Sequence, residues 1–278
     1  MNCSLNLRRM CAGYAMACAG AALLLPVADN ACARTFAEVK SLGAISMCAN
    51  RDALPYASNK PDAPGFQIEI GRAIAEGLGV PLNIEWILPR RRANVVNCDM
   101  LFDTINDPEV NAGRARLSRP YQKSGLALGL RRDAEAISDF RELKKGQKIG
   151  VMINSFASMV LGKADKTTSP YAFQSDMVED LQKGELYGAA VSAATMSYYI
   201  FQHPDSGLRL VNAFDSEPDL TWEVAVGLRK SDAALVDAVN EILEKLIADG
   251  TLTRIYAKYG VEHRLPLYPG RALRQQVP

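Results

Sequence analysis

The sequence predicts an α/β fold on three observations. Short alternating or wholly apolar runs recur along the chain, runs with a helical period fall between them, and glycine, proline or N-capping residues mark the joins. At 278 residues the chain is long enough for one large domain or two lobes.

The elements follow in order. "GAISMCAN" (43–50) reads as a short buried strand. "GFQIEIGRAIAEGLGV" (65–80) sets Phe66, Ile70, Ile74 and Leu78 at helical spacing and stops at Gly79. "PLNIEWIL" alternates as a second strand, "CDMLF" is a third and "SGLALGL" (124–130) a fourth. This first third is a βαβ-type unit, whose loops at the strand carboxyl ends line a crevice. "DFRELKKGQ" then reads as a short helix and turn, and "KIGVMI" (148–153) as a strand. "NSFASMVLGKA" opens on Asn154 and Ser155, good N-capping residues, and continues as a helix. "SDMVEDLQKG" is another helix, "YGAAVSAA" a small-residue strand, and "ATMSYYIFQHP" a helix ending near Pro204. "LRLVNAF" and "TWEVAVGL" (221–228) are strands. Ser231 and Asp232 cap a long amphipathic helix carrying Leu235, Val239, Ile242 and Leu246, which stops at Gly250. A short helix with Ile255 and Tyr259 follows, then an irregular tail, "LPLYPGRALRQQVP".

The N-terminus reads as a secretory signal peptide. Arg8 and Arg9 make a positive start, Met10 to Leu25 is apolar, and Ala31-Cys32-Ala33 is a small-residue cleavage site. Residues 1–33 are expected to be removed after Ala33 on export to the periplasm. A membrane anchor is the weaker reading, since Pro26 breaks the apolar run short of the roughly 20 residues a span needs. Four of the six cysteines lie in this segment, leaving Cys48 and Cys98. An exported protein commonly pairs two such cysteines, but two buried thiols fit equally. Lys and Arg number 32 against 31 Asp and Glu, a formal net charge of +1. That balance argues against a general nucleic-acid or membrane-surface binder.

Catalytic patterns are thin. The two histidines, His203 and His263, lie near no Cys, Ser or carboxylate motif. There is no H-E-x-x-H, G-x-S-x-G, phosphate loop or zinc spacing. Asp103 and Glu217 are the carboxylates open to an acid or base role, without a visible paired partner. The chain reads as a non-enzyme that needs neither cofactor nor metal, and as a monomer.

From Ala238 to Gly260 the closing stretch resembles, nearly residue for residue, the C-terminal signature of the family 3 periplasmic solute-binding proteins. "RTFAEVKSLGAISMCANRDALPYAS", the 65–80 segment, "LSRPYQKSG" and "GQKIGVMINSFAS" resemble the same family in the same order, so the likeness runs from about Arg34 to Val261. It implies a two-lobed periplasmic-binding-protein fold, two doubly wound lobes joined by a two-strand hinge, closing on a ligand. Lobe 1 would comprise 34–128 and 229–278, lobe 2 129–228, and the hinge strands 124–130 and 222–228. A narrower likeness is to the branch associated with quinoprotein (PQQ-dependent) alcohol dehydrogenases, whose members carry a cysteine after the first strand and another before an aspartate. Cys48 and Cys98-Asp99 match both positions.

The resemblance also implies a site, with one departure. Amino-acid-binding members carry an arginine nine residues before the proline of Ser-x-Pro-Tyr, gripping the ligand carboxylate. Here that position is Asn111, and the family aspartate for the ligand ammonium falls at Ser192. Neither residue carries the charge, so a standard α-amino acid is not the expected ligand. Asn50, Arg51 and the aromatic Tyr56 follow the first strand. Asp103, Thr104 and Asn106 occupy the loop after the third, where Asp103 also suits a local turn. Ser118, Asn154, Ser155, Phe156 and Ser192 complete the expected ligand-binding set. Arg114 and Arg116 share one strand face and could replace the clamp; the alternative is a solvated edge. Arg91, in the run Arg90–Arg92, could likewise meet an anion or an acidic partner. Trp222 could wall the cleft or pack in the hinge. The resemblance implies capture of a small polar solute for an ABC permease. The alternative is an accessory partner of a periplasmic quinoprotein dehydrogenase and its c-type cytochrome.

Overall fold

The computed structural model describes residues 34–87 and 98–266. The expected signal peptide, the Arg90–Arg92 run with Arg91, most of the expected tail and the side chain of Asp103 lie outside the described residues.

The chain forms helix α1 (Phe36–Leu42), strand β1 (Ile45–Ala49), the small hairpin β2 (Asp52–Ala53) and β3 (Ala57–Ser58), and helix α2 (Phe66–Gly77). Strands β4 (Leu82–Trp86), β5 (Met100–Ile105), β6 (Arg116–Leu117) and the long β7 (Gln122–Arg131) follow. Then come β8 (Ile149–Met152), α3 (Phe156–Lys163), β9 (Thr168–Tyr171), α4 (Gln174–Lys183), β10 (Gly188–Ser192), α5 (Ala193–Gln202) and β11 (Leu208–Val211). The described chain closes with β12 (Thr221–Leu228), α6 (Ala233–Ala248) and α7 (Thr251–Ala257).

Local chemistry explains most boundaries. Asp232 accepts the Leu235 N–H and caps α6, as read from the sequence. Helix α2 ends just before Gly79, whose φ of 67° is the left-handed geometry glycine supplies. Several elements escaped the sequence reading, among them the β2–β3 hairpin, helix α1 and strand β9. Helix α1 is set by a capping box between Thr35 and Glu38, a signal present in "RTFAE". Strand β9 contains Pro170 and lies at the sheet edge, where a residue without an N–H is tolerated.

The strands run in the order β4-β1-β5-β12-β7-β10-β8-β9, with β11 on β7 and β6 on β12. Strands β1, β4 and β5 are parallel, as are β8, β9 and β10. Two strands cross between these halves. Strand β12 pairs with β5 from Val224 to Leu228, while its first residues pair with the start of β7, Thr221↔Gly125 to Val224↔Gln122. From Leu126 onward β7 pairs instead with β10, and from Leu128 with β11. The halves therefore exchange partners at Gly125 and Thr221. Residues 224–228 hydrogen-bond within the first half, not within the lobe 129–228 read from the sequence. Alternation identifies a strand but not its neighbour.

Each half has its own apolar core. The first gathers Ile45, Ile68, Ile74, Val226 and Leu243. The second holds Leu128, Leu130, Ile149 and Phe214, with a neighbouring cluster of Met177, Leu181 and Met196. This is the two-lobed periplasmic-binding-protein fold, with two strands as the joint. Helix α5 belongs to the second half by chain order, yet Ala194 packs in the first core and Tyr198 against it. Gly260 at φ 64° lets Phe201 of α5 lie directly on the backbone after α7; any side chain there would strike that ring.

Candidate functional site

Parallel strands put their carboxyl ends on one edge, and ligands of open α/β sheets sit outside that edge. One edge here carries the loops after β1 and β5; the other carries those after β8, β9 and β10. Tyr56 and Ser192 join them. Ser192 stands at the N-cap position of α5 but makes no cap bond; its hydroxyl lies 2.6 Å from the Tyr56 hydroxyl. Tyr56 is held by its backbone, donating its N–H to Ala53 O and accepting from Gln67 N, and its ring lies 5.0 Å from Phe66. Gly65, at φ 91°, packs against the Tyr56 carbonyl where a side chain could not fit. Two residues expected on opposite walls are thus in direct contact.

The loop after β5 is fixed to the crossing strand. Asn106 donates its backbone N–H to Glu223 O at 2.8 Å and its amide to the buried Glu223 carboxylate at 3.2 Å. Asn111, at the position of the missing clamp, directs its amide to the carbonyls of Ile105 (2.9 Å) and Asp107 (2.8 Å) and closes the loop on itself. Thr104 donates to Leu101 O and lies against Gly227, so its hydroxyl serves the strand. On the other edge Ser155 caps α3 by accepting the Ser158 N–H, Asn154 adopts φ 57°, and Phe156 is 66% exposed. Asn50 accepts from Asp52 N in a local turn, and Arg51 beside it is exposed.

Arg114 and Arg116 are exposed, the solvated edge that was the alternative to a clamp, and Ser118 is buried in the sheet. Pro120 has no N–H, so the pairing between β6 and β7 along β12 is interrupted there. Ser118 ties the segment before it to β12: its N–H donates to Val226 O and its hydroxyl accepts from Val226 N at 2.9 Å. It is 3% exposed and belongs to the sheet. Arg116 donates to the Ser231 carbonyl ahead of α6, and Arg119 pairs with Glu244 on α6. Arg114 is exposed on the same loop. The arginine cluster thus dresses α6, and a period-two pattern alone could not reveal which side of the sheet it faced.

Further groups frame the site. Cys48 and Cys98 form a disulfide, Cα atoms 5.6 Å apart, between the end of β1 and the approach to β5. The next residue, Asp99, is buried and accepts from Ser46 N and Ser46 Oγ at 2.8 Å each and from Arg34 at 2.9 Å. Beyond α7, residues 261–264 lie along the free edge of β7. Lys123 N donates to Arg264 O, Arg264 N to the Gln122 side chain, and the Gln122 amide to Glu262 O. Arg264 then forks onto Asp215 of the second lobe, which Lys123 also approaches at 3.7 Å. A crevice beside this strap is lined by Gln122, Lys123, Ala193, Asn212 and Arg264, and reaches Tyr56. Of the expected site residues, Tyr56 alone borders it. The His203 ring lies tilted against Tyr199 at the end of α5, 4.6 Å between centroids, and Glu217 opens a short 3-10 turn.

Solved structures share this fold. An ancestral cationic amino acid solute-binding protein aligns with TM-score 0.68 at 19% identity, covering 81% of this chain and 98% of that one. The L-cystine solute receptor of Neisseria gonorrhoeae, in its unliganded open conformation, aligns with TM-score 0.69 at 18% identity, covering 82% and 98%. In sequence, the chain is 23% identical to the "Probable histidine-binding protein" of Neisseria gonorrhoeae over 223 residues, 77% of this chain and 81% of that protein. It is 26% identical to the "Probable amino-acid ABC transporter-binding protein" of Haemophilus influenzae over 198 residues, 69% and 74%. It also matches Membrane-bound lytic murein transglycosylase F of Pseudomonas putida at 24% identity, spanning only 53% of that longer protein. Residues 45–262 match the bacterial extracellular solute-binding proteins, family 3, and this chain belongs to that family.

Proposed function

We propose that this protein is exported to the periplasm, loses residues 1–33, and captures a small solute between its lobes for delivery to an ABC permease. The observation that carries the reading is the Tyr56–Ser192 contact, which joins the two ligand-facing edges in a fold whose halves are linked through two crossing strands. The relatives' descriptions as binding components of transporters support it. The lobes close by bending where β7 and β12 exchange partners, near Gly125 and Thr221. Tyr56, Asn106, Asn154, Ser155, Phe156 and Ser192 are the contacts proposed for the solute, with Asn50 and Arg51 at the rim.

A standard α-amino acid is not the solute. Asn111 has neither charge nor a free amide for a carboxylate, and Ser192 offers an ammonium no counter-charge. A thermal-shift screen of amino acids, organic acids, polyamines and alcohols tests both parts. At 100 times its dissociation constant, a ligand raises stability by about 2.7 kcal/mol. Micromolar binding of a common amino acid would overturn the exclusion, and a flat panel would overturn solute capture. Intact mass of the exported protein tests cleavage after Ala33.

A second reading is an accessory role on a quinoprotein dehydrogenase and its cytochrome. The Cys48–Cys98 pair favours it, as those two positions carry the narrower resemblance. Co-purification with such a dehydrogenase, together with a flat solute panel, would establish it; a solute hit without co-purification would remove it.

A further inference from the structure

The walls of the proposed cleft are apolar where a polar clamp would stand. Ten large hydrophobic side chains are exposed among the described residues, and seven lie at or just beyond the carboxyl ends of β4, β5, β8 and β9. Trp86 and Ile105 end β4 and β5, and Val110 stands in the loop after β5. Opposite them, Ile153 follows β8, Phe156 and Met159 occupy successive turns of α3, and Phe173 follows β9. Their exposures run from 40% to 66%, and those of Phe156 and Phe173 are the highest. Single exposed apolar residues need no explanation, but their concentration at one functional edge does. Neither local capping nor core packing accounts for it: Phe156 and Phe173 point away from both cores.

Closure would bring these side chains around whatever lies between the lobes. A charged zwitterion would lose its water there with little in return, because the Asn111 amide is committed to loop carbonyls and the Ser192 hydroxyl to Tyr56. A flat apolar body would be sandwiched by rings from both walls. We propose that the cleft selects an aromatic organic solute lacking an α-ammonium carboxylate, held chiefly by Trp86, Phe156 and Phe173. The proposal rests on the solute-capture reading and replaces the polar solute suggested by the loop residues.

The test is isothermal titration of the purified protein with two sets of probes. The aromatic set is 4-hydroxybenzoate and 2-naphthoate; the polar set is histidine, glutamate and spermidine. The chain has two tryptophans, so quenching of Trp86, isolated in a Trp222→Phe background, gives a second readout. Phe156→Ala and Phe173→Ala remove side chains that support neither core, so folding is retained. Each is expected to weaken 2-naphthoate by about tenfold. Binding of the polar set alone would overturn the aromatic assignment while leaving solute capture standing. No binding by either set would overturn both. Aromatic binding indifferent to both substitutions would overturn the placement on these walls.

Discussion

Asp99 shows how one side chain can organise a lobe. It is 3% exposed and takes the Ser46 N–H, the Ser46 hydroxyl and the Arg34 guanidinium, while Ser46 Oγ accepts from Asp99 N in return. Asp99→Ala would leave these donors facing one another without an acceptor, and a loss of about 3 kcal/mol is expected in urea denaturation. His263 carries the pH dependence at this scale. Its Nε2 faces the Tyr121 carbonyl, which only accepts, so the neutral ring is protonated there and Nδ1 accepts from Thr253. Burial holds its pKa below the ordinary 6.5, an effect the Tyr121 carbonyl partly offsets. The unfolded chain therefore takes up the proton first. Stability contributed by the neutral ring is complete above pH 6.5 and declines as pH falls from there toward the depressed folded value. His263→Gln should flatten that part of a melting-temperature profile. Single residues were unevenly legible in the sequence. Motif position singled out Tyr56 and Ser192 but did not reveal their contact. Ser118 could not be recognised as a residue of the sheet, because its partner Val226 is 108 residues away.

Among elements, punctuation proved the readable part. Asp232, Gly79 and Gly250 mark helix ends that a local code specifies, and α2, α6 and α7 lie close to where periodicity put them. Strand β9 was hidden because "TSPY" has neither alternation nor length, and is a strand only through its partner β8. The disulfide belongs to this scale. It clasps β1 to the approach to β5 across a separation of 50 residues. Loop closure of that length contributes about 4 kcal/mol. The double variant Cys48→Ser, Cys98→Ser should melt roughly 10 °C lower by calorimetry. An unchanged melt would mean that the strand pairings alone hold the segment. Sequence left the pairing undecided, since only the register of β1 against β5 brings the two Cα atoms within bonding range.

For the whole molecule, the two-lobed plan was legible through ordered family-like segments, but the contacts between the lobes were not. Among the described residues, contacts that span the joint include the Tyr56–Ser192 hydroxyl pair, the α5 ridge on the first core, and the fork of Arg264 onto Asp215. Only the first engages residues singled out from the sequence. Tyr56→Phe removes one hydrogen bond of about 1 kcal/mol between the lobes. The expected outcome is a larger radius of gyration for the unliganded protein in small-angle scattering, with an unchanged value when ligand is saturating. An unchanged unliganded radius would assign the restraint to α5 and the Arg264 strap.

The partner exchange at Gly125 and Thr221 has an evolutionary consequence. These residues face each other across β7 and β12, so the whole intervening stretch leaves and re-enters at one paired position. It behaves as a cassette with a single doorway. Recombination between relatives at this doorway exchanges one wall of the cleft while the other keeps its disulfide and capped helices, so the lineage can change what it recognises by shuffling halves rather than rebuilding them.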